Sequence, residues 1–157
     1  MDLIVKNMNE TLATQILTWN YEGPYDFYNN ELSDEEIRER LNGTYKALID
    51  ENGEVLGFFC TGDSAQVPIG KQYGAYFGEF VDMGLGMNPN YVGKGNGYNF
   101  CSFIIQHIKE NTDRASIRLT VATFNKRAIH LYKKLGFVKK DKFTTDFAEF
   151  ITMVKKN

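Results

Sequence analysis

The sequence predicts an α+β fold in which one mixed β-sheet is flanked by helices. Seven short runs of the 157-residue chain have the alternation or the β-branched and aromatic content of strands, and four longer runs have helical periodicity. These runs follow one another in the order βααβββαβαββ. Apolar residues make up 43% of the chain, which is enough for one hydrophobic core at this length. We therefore expect a single domain over residues 1–157.

The N-terminal part of the chain contains three strand patterns and two helical patterns. Asn9 and Ser33 each precede a helical run and can cap its free N–H groups, and Glu36 completes a capping box with Ser33. The turn Asp50–Gly53 favours a hairpin between two strands. We expect strands at residues 2–7, 45–49 and 55–61, and helices at 10–19 and 34–41.

The rest of the chain adds four strands and two helices. Residues 62–74 have no helical period, so we expect a long loop there. Asn125 precedes the last helical run and can cap it, and Gly136 follows that run as its stop. We expect strands at residues 75–87, 117–122, 137–142 and 147–154, and helices at 97–110 and 126–135.

An aromatic segment, Trp19–Tyr28, separates the first two helices, and we term it the aromatic loop. Gly23 and Pro24 interrupt it, which predicts a loop or a very short helix. Aromatic rings beside carboxylates suit a pocket for a cationic or amphipathic substrate, although such rings also cover the edges of cores. The candidate substrate-binding residues are Tyr21, Glu22, Tyr25 and Asp26.

Composition and charge exclude several classes of protein. The net charge of −2 argues against a nucleic-acid-binding protein, which neutralises phosphates with Lys and Arg. Cys60 and Cys101 lie far apart in apolar runs, which is typical of buried thiols in a reducing compartment. His107 and His130 have no ligand at metal-site spacing, so we expect no metal. We also expect no membrane association and a cytoplasmic location, because no leader or long apolar run is present.

Three glycines alternate at Gly93, Gly95 and Gly97 between a strand pattern and a helical pattern, and we term residues 88–97 the glycine loop. Such a loop presents backbone N–H groups to an anion at the start of a helix, where the helix dipole favours negative charge. It is not a P-loop, because Lys94 is followed by Gly95 and not by Ser or Thr, and its spacing also differs from the dinucleotide fingerprint. The pattern indicates a phosphate or pyrophosphate site, with an ordinary glycine-rich turn as the alternative.

Two stretches resemble signatures of the GNAT superfamily of acyl-CoA-dependent N-acyltransferases. Pro89–Gly97 is similar to its pyrophosphate loop, Gln/Arg-x-x-Gly-x-Gly/Ala, except that Val92 stands where Gln or Arg is usual. Leu119–Phe137 closely resembles the second signature, a strand followed by Asn-x-x-Ala, a Tyr and Gly-Phe. The resemblance covers essentially the whole chain. It implies the GNAT fold, a central, mostly antiparallel twisted sheet of about seven strands flanked by four helices.

The resemblance also implies a reaction and the residues that carry it. The expected enzyme transfers an acetyl group from acetyl-CoA, its cosubstrate, to a primary amine by direct attack in a ternary complex. Asn125 contacts the pantetheine arm and Tyr132 is the general acid for the departing thiolate; their spacing of seven places both on one helix face. The implied cofactor-binding residues are Leu85, Gly86, Met87, Val92, Gly93, Lys94, Gly95, Asn96, Gly97 and Asn125.

Three questions stay open in the sequence. The base that deprotonates the amine is either Glu79 or Asp82, which the predicted strand places on opposite faces, and we favour Glu79. A non-catalytic acyl-CoA sensor or partner-binding module is the alternative function, and Val92 is the feature that favours it. The acceptor is a small-molecule or peptide amine of unknown identity, and a homodimer formed through strand pairing is compatible with this fold.

Overall fold

The computed structural model describes residues 2–113 and 116–157 of the chain, and its elements confirm the predicted order. Seven strands and four α-helices follow one another as βααβββαβαββ. Their bounds are β1 Ile4–Asn7, α1 Glu10–Leu17, α2 Asp34–Arg40, β2 Tyr45–Ile49, β3 Val55–Thr61, β4 Val81–Met87, α3 Gly97–Asn111, β5 Ile117–Ala122, α4 Lys126–Lys134, β6 Val138–Thr144 and β7 Glu149–Lys155.

The strands form one mixed, mostly antiparallel sheet, as expected, and their order in it is β1-β2-β3-β4-β5-β7-β6. Four of the strand pairs are antiparallel, namely β1–β2, β2–β3, β5–β7 and β6–β7. The pair β4–β5 is parallel. Two compact units divide the chain. The first contains residues up to Cys60 together with Leu85–Asn96, and the second contains Thr61–Gly84 and Gly97–Asn157. The chain passes from one to the other within β4, and a single domain stays a prediction.

Three predicted side-chain caps are present. The oxygens of Asn9, Ser33 and Asn125 accept from backbone N–H groups at 2.8, 3.1 and 3.1 Å respectively. The capping box at Ser33 is incomplete, however, because the Glu36 carboxylate accepts from Arg40 Nη1 at 2.6 Å. A charge-assisted bond to a guanidinium one turn away is stronger than a bond to a neutral backbone N–H.

Two predictions about the connection between β3 and β4 are wrong. Residues 62–74 are not a featureless loop but contain two 3₁₀ helices, Gly62–Ala65 and Pro68–Tyr73. β4 begins at Val81 rather than at residue 75, so Glu79 does not lie on a strand. Gly78, the residue before Glu79, adopts a φ of 94°, and this left-handed conformation interrupts an extended strand. The other boundaries differ from prediction by only a residue or two.

The buried side of α3 agrees with the predicted stripe. Phe100, Cys101, Ile104 and Ile108 are buried, and Ile105 joins them. Among the described residues, no helix combines the length and apolar character needed to cross a bilayer.

A buried ion pair joins β4 to β5. Asp82 and Arg118 are register partners in the parallel ladder, and their side chains are 6% and 2% exposed. Arg118 donates from Nε and Nη2 to the two carboxylate oxygens of Asp82, at 2.6 and 2.9 Å. Gln66 Nε2 donates to the same carboxylate at 2.8 Å. Both buried charges are therefore paired, as burial requires.

The same guanidinium also holds the segment that precedes β4. It donates to the carbonyls of Phe77 and Tyr76, at 2.6 and 3.2 Å. The Cζ atom of Arg118 lies 5.1 Å from the ring centroid of Tyr76 and 5.0 Å from that of Phe80, within cation–π range. These contacts replace the ladder bonds of the strand predicted there.

We expect Asp82→Ala to lower the free energy of unfolding by about 3–5 kcal/mol, because it leaves the charge of Arg118 buried without its partner. Urea unfolding followed by circular dichroism measures the change. The double variant Asp82→Leu/Arg118→Met removes both charges and should recover most of the loss.

Lys140→Ala is the control, since its ammonium pairs with Asp141 at 3.3 Å where both side chains are more than a third exposed. Its effect should stay at about 0–1 kcal/mol. Wild-type stability in Asp82→Ala would show that the buried pair does not organise this region.

Candidate active site

The glycine loop exposes a short run of backbone. Gly93 and Gly95 have φ of 76° and 81°, in the left-handed region that favours glycine, and Gly93, Lys94 and Gly95 are exposed. A Cβ at Gly95 would meet no atom within 4 Å, so its backbone conformation is what requires glycine. Within the described part of the chain, no carbonyl accepts from the N–H of Gly93, Lys94 or Gly95. These donors are available to an anion.

The loop leads into α3, whose first residue contacts α4. A Cβ added to Gly97 would lie 3.1 Å from Leu131 Cδ2, so the absence of a side chain allows the close approach of the two helices. Gly97 therefore has a packing role as well as its predicted place in the loop.

The C-terminal end of β4 carries the predicted pantetheine-binding residues Leu85, Gly86 and Met87, all half-buried. The parallel register with β5 covers only the first three residues of β4 and ends at Met83. The space beside Gly86 is not open, because a Cβ there would lie 2.7 Å from Phe58 Cζ. The ring of Phe58 therefore occupies the space beside Gly86, and the role of Gly86 in binding a cofactor stays a prediction.

The aromatic loop is attached to the same end of β4. The Tyr21 hydroxyl donates to the Met87 carbonyl at 2.6 Å, and burial raises the pKa of Tyr21 to about 12. The Tyr21 N–H donates to Asn29 Oδ1 at 2.7 Å. Residues Tyr25–Tyr28 form one 3₁₀ turn, which corresponds to the very short helix among the two predicted alternatives. Tyr21, a candidate substrate-binding residue, is therefore hydrogen-bonded to Met87, a candidate cofactor-binding residue.

The other candidate substrate-binding residues lie on the surface of the aromatic loop. Glu22 and Asp26 are exposed and Tyr25 is half-buried. Their role in acceptor binding stays a prediction, as does that of Tyr21.

The second candidate group lies on α4. Asn125 caps the helix through its side-chain oxygen, and Tyr132 is 8% exposed two turns later. The ring of Tyr132 meets that of Phe137 edge-on, with centroids 6.1 Å apart. The Phe of the Gly-Phe signature thus packs against the candidate general acid and restricts its orientation.

The two candidate bases have different surroundings. Glu79 is exposed in the bend between Gly78 and Phe80, and its role as base stays a prediction. Asp82 is held by Arg118 and Gln66 in the buried ion pair, so protein donors occupy its carboxylate.

Sequence reasoning missed Phe58, Asn88 and Arg118, which support the candidate residues. Arg118 had a signal, because a charged residue inside the apolar run Ile117–Ala122 needs a buried partner, and Asp82 in a neighbouring run could supply it. Phe58 and Asn88 had none, since their types are ordinary for a strand and a turn.

A metal or thiol mechanism finds no support in the described residues. No group of three or more His, Cys, Asp or Glu residues there could hold a metal ion. Burial raises the pKa of Cys101 to about 12, which keeps the thiol protonated near neutral pH.

Comparisons with known proteins identify relatives of the whole arrangement. Residues 11–137 match the family described as Acetyltransferase (GNAT) family. No curated protein matches the chain in sequence.

Solved structures resemble the chain over nearly its full length. A chimera of spermidine N-acetyltransferase SpeG from Vibrio cholerae and hSSAT is 18% identical with a TM-score of 0.71, covering 97% of this chain and 93% of that one. A candidate GNAT-family acetyltransferase from Bordetella pertussis is 14% identical with a TM-score of 0.72, covering 98% and 95%. A candidate phosphinothricin N-acetyltransferase is 14% identical with a TM-score of 0.72, covering 99% and 98%. At such identities the likeness shows the fold.

We expect Gly86→Ala to lower the free energy of unfolding by about 1–3 kcal/mol, because the new methyl group overlaps the ring of Phe58. Thermal and urea unfolding measure the change. The matched test is the double variant Phe58→Leu/Gly86→Ala, in which the smaller side chain frees the space. The two substitutions should then be strongly non-additive in a double-mutant cycle. Additive effects would mean that Phe58 does not set the requirement for glycine.

Proposed function

The chain belongs to the GNAT acetyltransferase family, and on that premise we propose that it transfers an acetyl group from acetyl-CoA to a primary amine by direct attack in a ternary complex. The family match confirms the expected class of enzyme, an acyl-CoA-dependent N-acetyltransferase. The observation that carries the proposal is the glycine loop, whose N–H groups at residues 93–95 are exposed and donate to no carbonyl of the described chain.

Binding of acetyl-CoA begins at this loop. The N–H groups of Gly93, Gly95, Asn96 and Gly97 hold the pyrophosphate, and Lys94 adds a positive charge. Val92 contributes no polar atom, but the backbone donors do not depend on its side chain. Backbone groups of Leu85, Gly86 and Met87 hold the pantetheine arm, with Asn125 as a further contact.

The chemical step joins the amine to the acetyl carbon. The amine nitrogen attacks the thioester carbonyl, the C–N bond forms, and a backbone N–H of β4 stabilises the oxyanion. The C–S bond then breaks, the departing thiolate takes a proton from the Tyr132 hydroxyl, and the proton that the acetylated nitrogen loses restores that hydroxyl. The products are the N-acetylated amine and free CoA.

The amine must lose a proton before it attacks, because amines are mostly protonated near neutral pH. Glu79 accepts this proton, directly or through a water molecule. Its exposure supports the assignment, since the carboxylate can exchange the proton with solvent between turnovers.

The acceptor is a cationic amine recognised by the aromatic loop. Glu22 and Asp26 attract its charge, and Tyr21 and Tyr25 border its apolar part. The names of the structural neighbours, which include spermidine and phosphinothricin N-acetyltransferases, support an amine acceptor without selecting one. A panel of polyamines, amino acids, aminoglycosides and peptides, assayed by release of free thiol, identifies it.

We expect Tyr132→Phe to lower kcat by about 10²–10⁴-fold while the Kd for acetyl-CoA stays within about twofold, because only the proton donor is removed. Calorimetric titration with acetyl-CoA and the thiol-release assay with the best amine measure the two quantities. Tyr73→Phe, which removes a hydroxyl from a side chain that is 61% exposed, is the matched control and should leave both unchanged.

Turnover in wild type with no loss in Tyr132→Phe would contradict the assignment of the acid. Binding of acetyl-CoA by wild type without turnover on any amine would support the non-catalytic sensor instead.

We expect Cys101→Ala to retain turnover within about twofold, because direct attack needs no covalent acetyl-enzyme. A thiol of pKa about 12 is about one part in ten thousand thiolate at pH 8, so iodoacetamide should label Cys101 only after unfolding in urea. Mass spectrometry of the native and unfolded protein measures the labelling. An acetyl group on Cys101 after incubation with acetyl-CoA alone would contradict the ternary mechanism.

A further inference from the structure

We propose that Asn88 is a positioning residue for acetyl-CoA, which holds the glycine loop in its anion-binding conformation before the ligand arrives. The inference rests on the proposed function and assigns a role to a side chain outside the two signatures. Asn88 does not itself present an N–H group to the pyrophosphate. It acts through the loop that does.

Asn88 connects the loop to β3 through two hydrogen bonds and bonds to the loop itself through its side-chain oxygen. The residue is 5% exposed. Its Nδ2 donates to the Val55 carbonyl at 2.9 Å, and its backbone N–H donates to the Leu56 carbonyl at 2.8 Å. Its Oδ1 accepts from the Asn90 N–H at 2.9 Å. The side chain thus bridges a buried strand and the first turn of the loop.

The restraint continues along the loop as far as its other end. The Tyr91 N–H donates to the Asn88 carbonyl at 2.9 Å, and the Val92 N–H donates to the Pro89 carbonyl at 3.4 Å. Asn96 Nδ2 then donates to the Tyr91 carbonyl at 3.2 Å, across the glycines. Both sides of the exposed run 93–95 are therefore fixed, one through Asn88 and the other through Asn96.

Val92 explains why this restraint matters here. The resembled signature has Gln or Arg at that position, whose polar side chain can form hydrogen bonds, and a valine cannot. Glycines in the loop lose more conformational entropy on ordering than other residues. If the loop were ordered only on binding, that entropy would weaken the affinity, whereas a loop held in advance avoids this loss. Asn88 therefore supplies a restraint that the apolar side chain of Val92 cannot supply.

A purely structural role for Asn88 makes a different prediction. Loss of its buried hydrogen bonds would then lower stability without changing the affinity for acetyl-CoA. The positioning role requires the affinity to fall by more than it does in a variant of equal stability, and requires faster hydrogen exchange in the loop of the free protein.

The experiment titrates acetyl-CoA calorimetrically into full-length wild type, Asn88→Ala and Asn88→Ser. We expect the Kd of Asn88→Ala to rise by about tenfold, because ordering of the loop is added to binding. Asn88→Ser retains an oxygen that can accept from the Asn90 N–H, so its Kd should rise less. Hydrogen exchange of residues 88–97 without ligand should be faster in Asn88→Ala than in wild type.

Two controls separate an effect on the conformation of the glycine loop from a general loss of stability. Ile16→Val removes one methyl group from the buried face of α1 and lowers stability away from the loop, and each variant is compared at its own measured thermal midpoint. Asn42→Ala removes the bond from the Thr44 N–H to Asn42 Oδ1, a turn bond of similar kind outside the loop. Both should keep the Kd within about twofold of wild type.

A Kd for Asn88→Ala within twofold of wild type would overturn the proposal, and so would an equal rise in Ile16→Val. Should Asn88→Ala fail to fold, the comparison of Asn88→Ser with Ile16→Val decides by the same criterion. If wild type itself does not bind acetyl-CoA, the proposed function falls and the positioning role falls with it. Binding by wild type with unchanged affinity in both Asn88 variants removes the positioning role alone.

Discussion

A phosphate-binding loop must leave its N–H groups without protein partners and yet keep them in one arrangement. This constraint governs the first compact unit. Hydrogen bonds along a segment normally provide its rigidity, but the N–H groups of residues 93–95 donate to no carbonyl of the described chain. The rigidity then has to come from the two sides, where Asn88 and Asn96 bond to carbonyls of β3 and Tyr91. The glycines contribute the left-handed conformation, and the asparagines contribute the restraint.

The end of β4 obeys a related constraint. The parallel register with β5 ends at Met83, and side chains contact the residues of β4 that follow. Phe58 packs on the backbone of Gly86, and the Tyr21 hydroxyl binds the Met87 carbonyl. In the second unit, Arg118 supports irregular backbone in the same way, by binding the carbonyls of Tyr76 and Phe77. In each case a buried or half-buried side chain contacts the backbone of a distant segment.

The sequence predicted what local chemistry determines. Asn9 and Asn125 precede helical runs and cap them, and the hairpin turn at Asp50–Gly53 falls where its glycine indicates. These features depend on neighbours within a few residues, so periodicity and turn chemistry suffice. The glycine loop was recognisable for the same reason.

What the sequence could not predict depends on partners distant in the chain. The alternation at Glu79 looked like a strand, but Arg118 holds the carbonyls just before it. Asn88 looked like a turn residue before a proline, and only the fold places its amide on the Val55 carbonyl. The contact of Gly86 with Phe58 was not predictable either, because a missing side chain can admit either a ligand or a protein ring. No local pattern distinguishes these two cases.

The edges of the sheet bear on assembly through strand pairing. β6 lies at one edge, and its Lys139, Lys140 and Lys142 are exposed. The register with β7 shifts between Lys139 and Lys142, which marks a bulge. Exposed lysines and bulges are the features that protect edge strands from pairing with another chain, because repulsion and local twist oppose a continuous ladder. β1 at the other edge has only four residues, and a strand that short offers few bonds. Pairing of β6 with a second copy is therefore disfavoured, and a homodimer of this chain would require contacts through surfaces other than that edge.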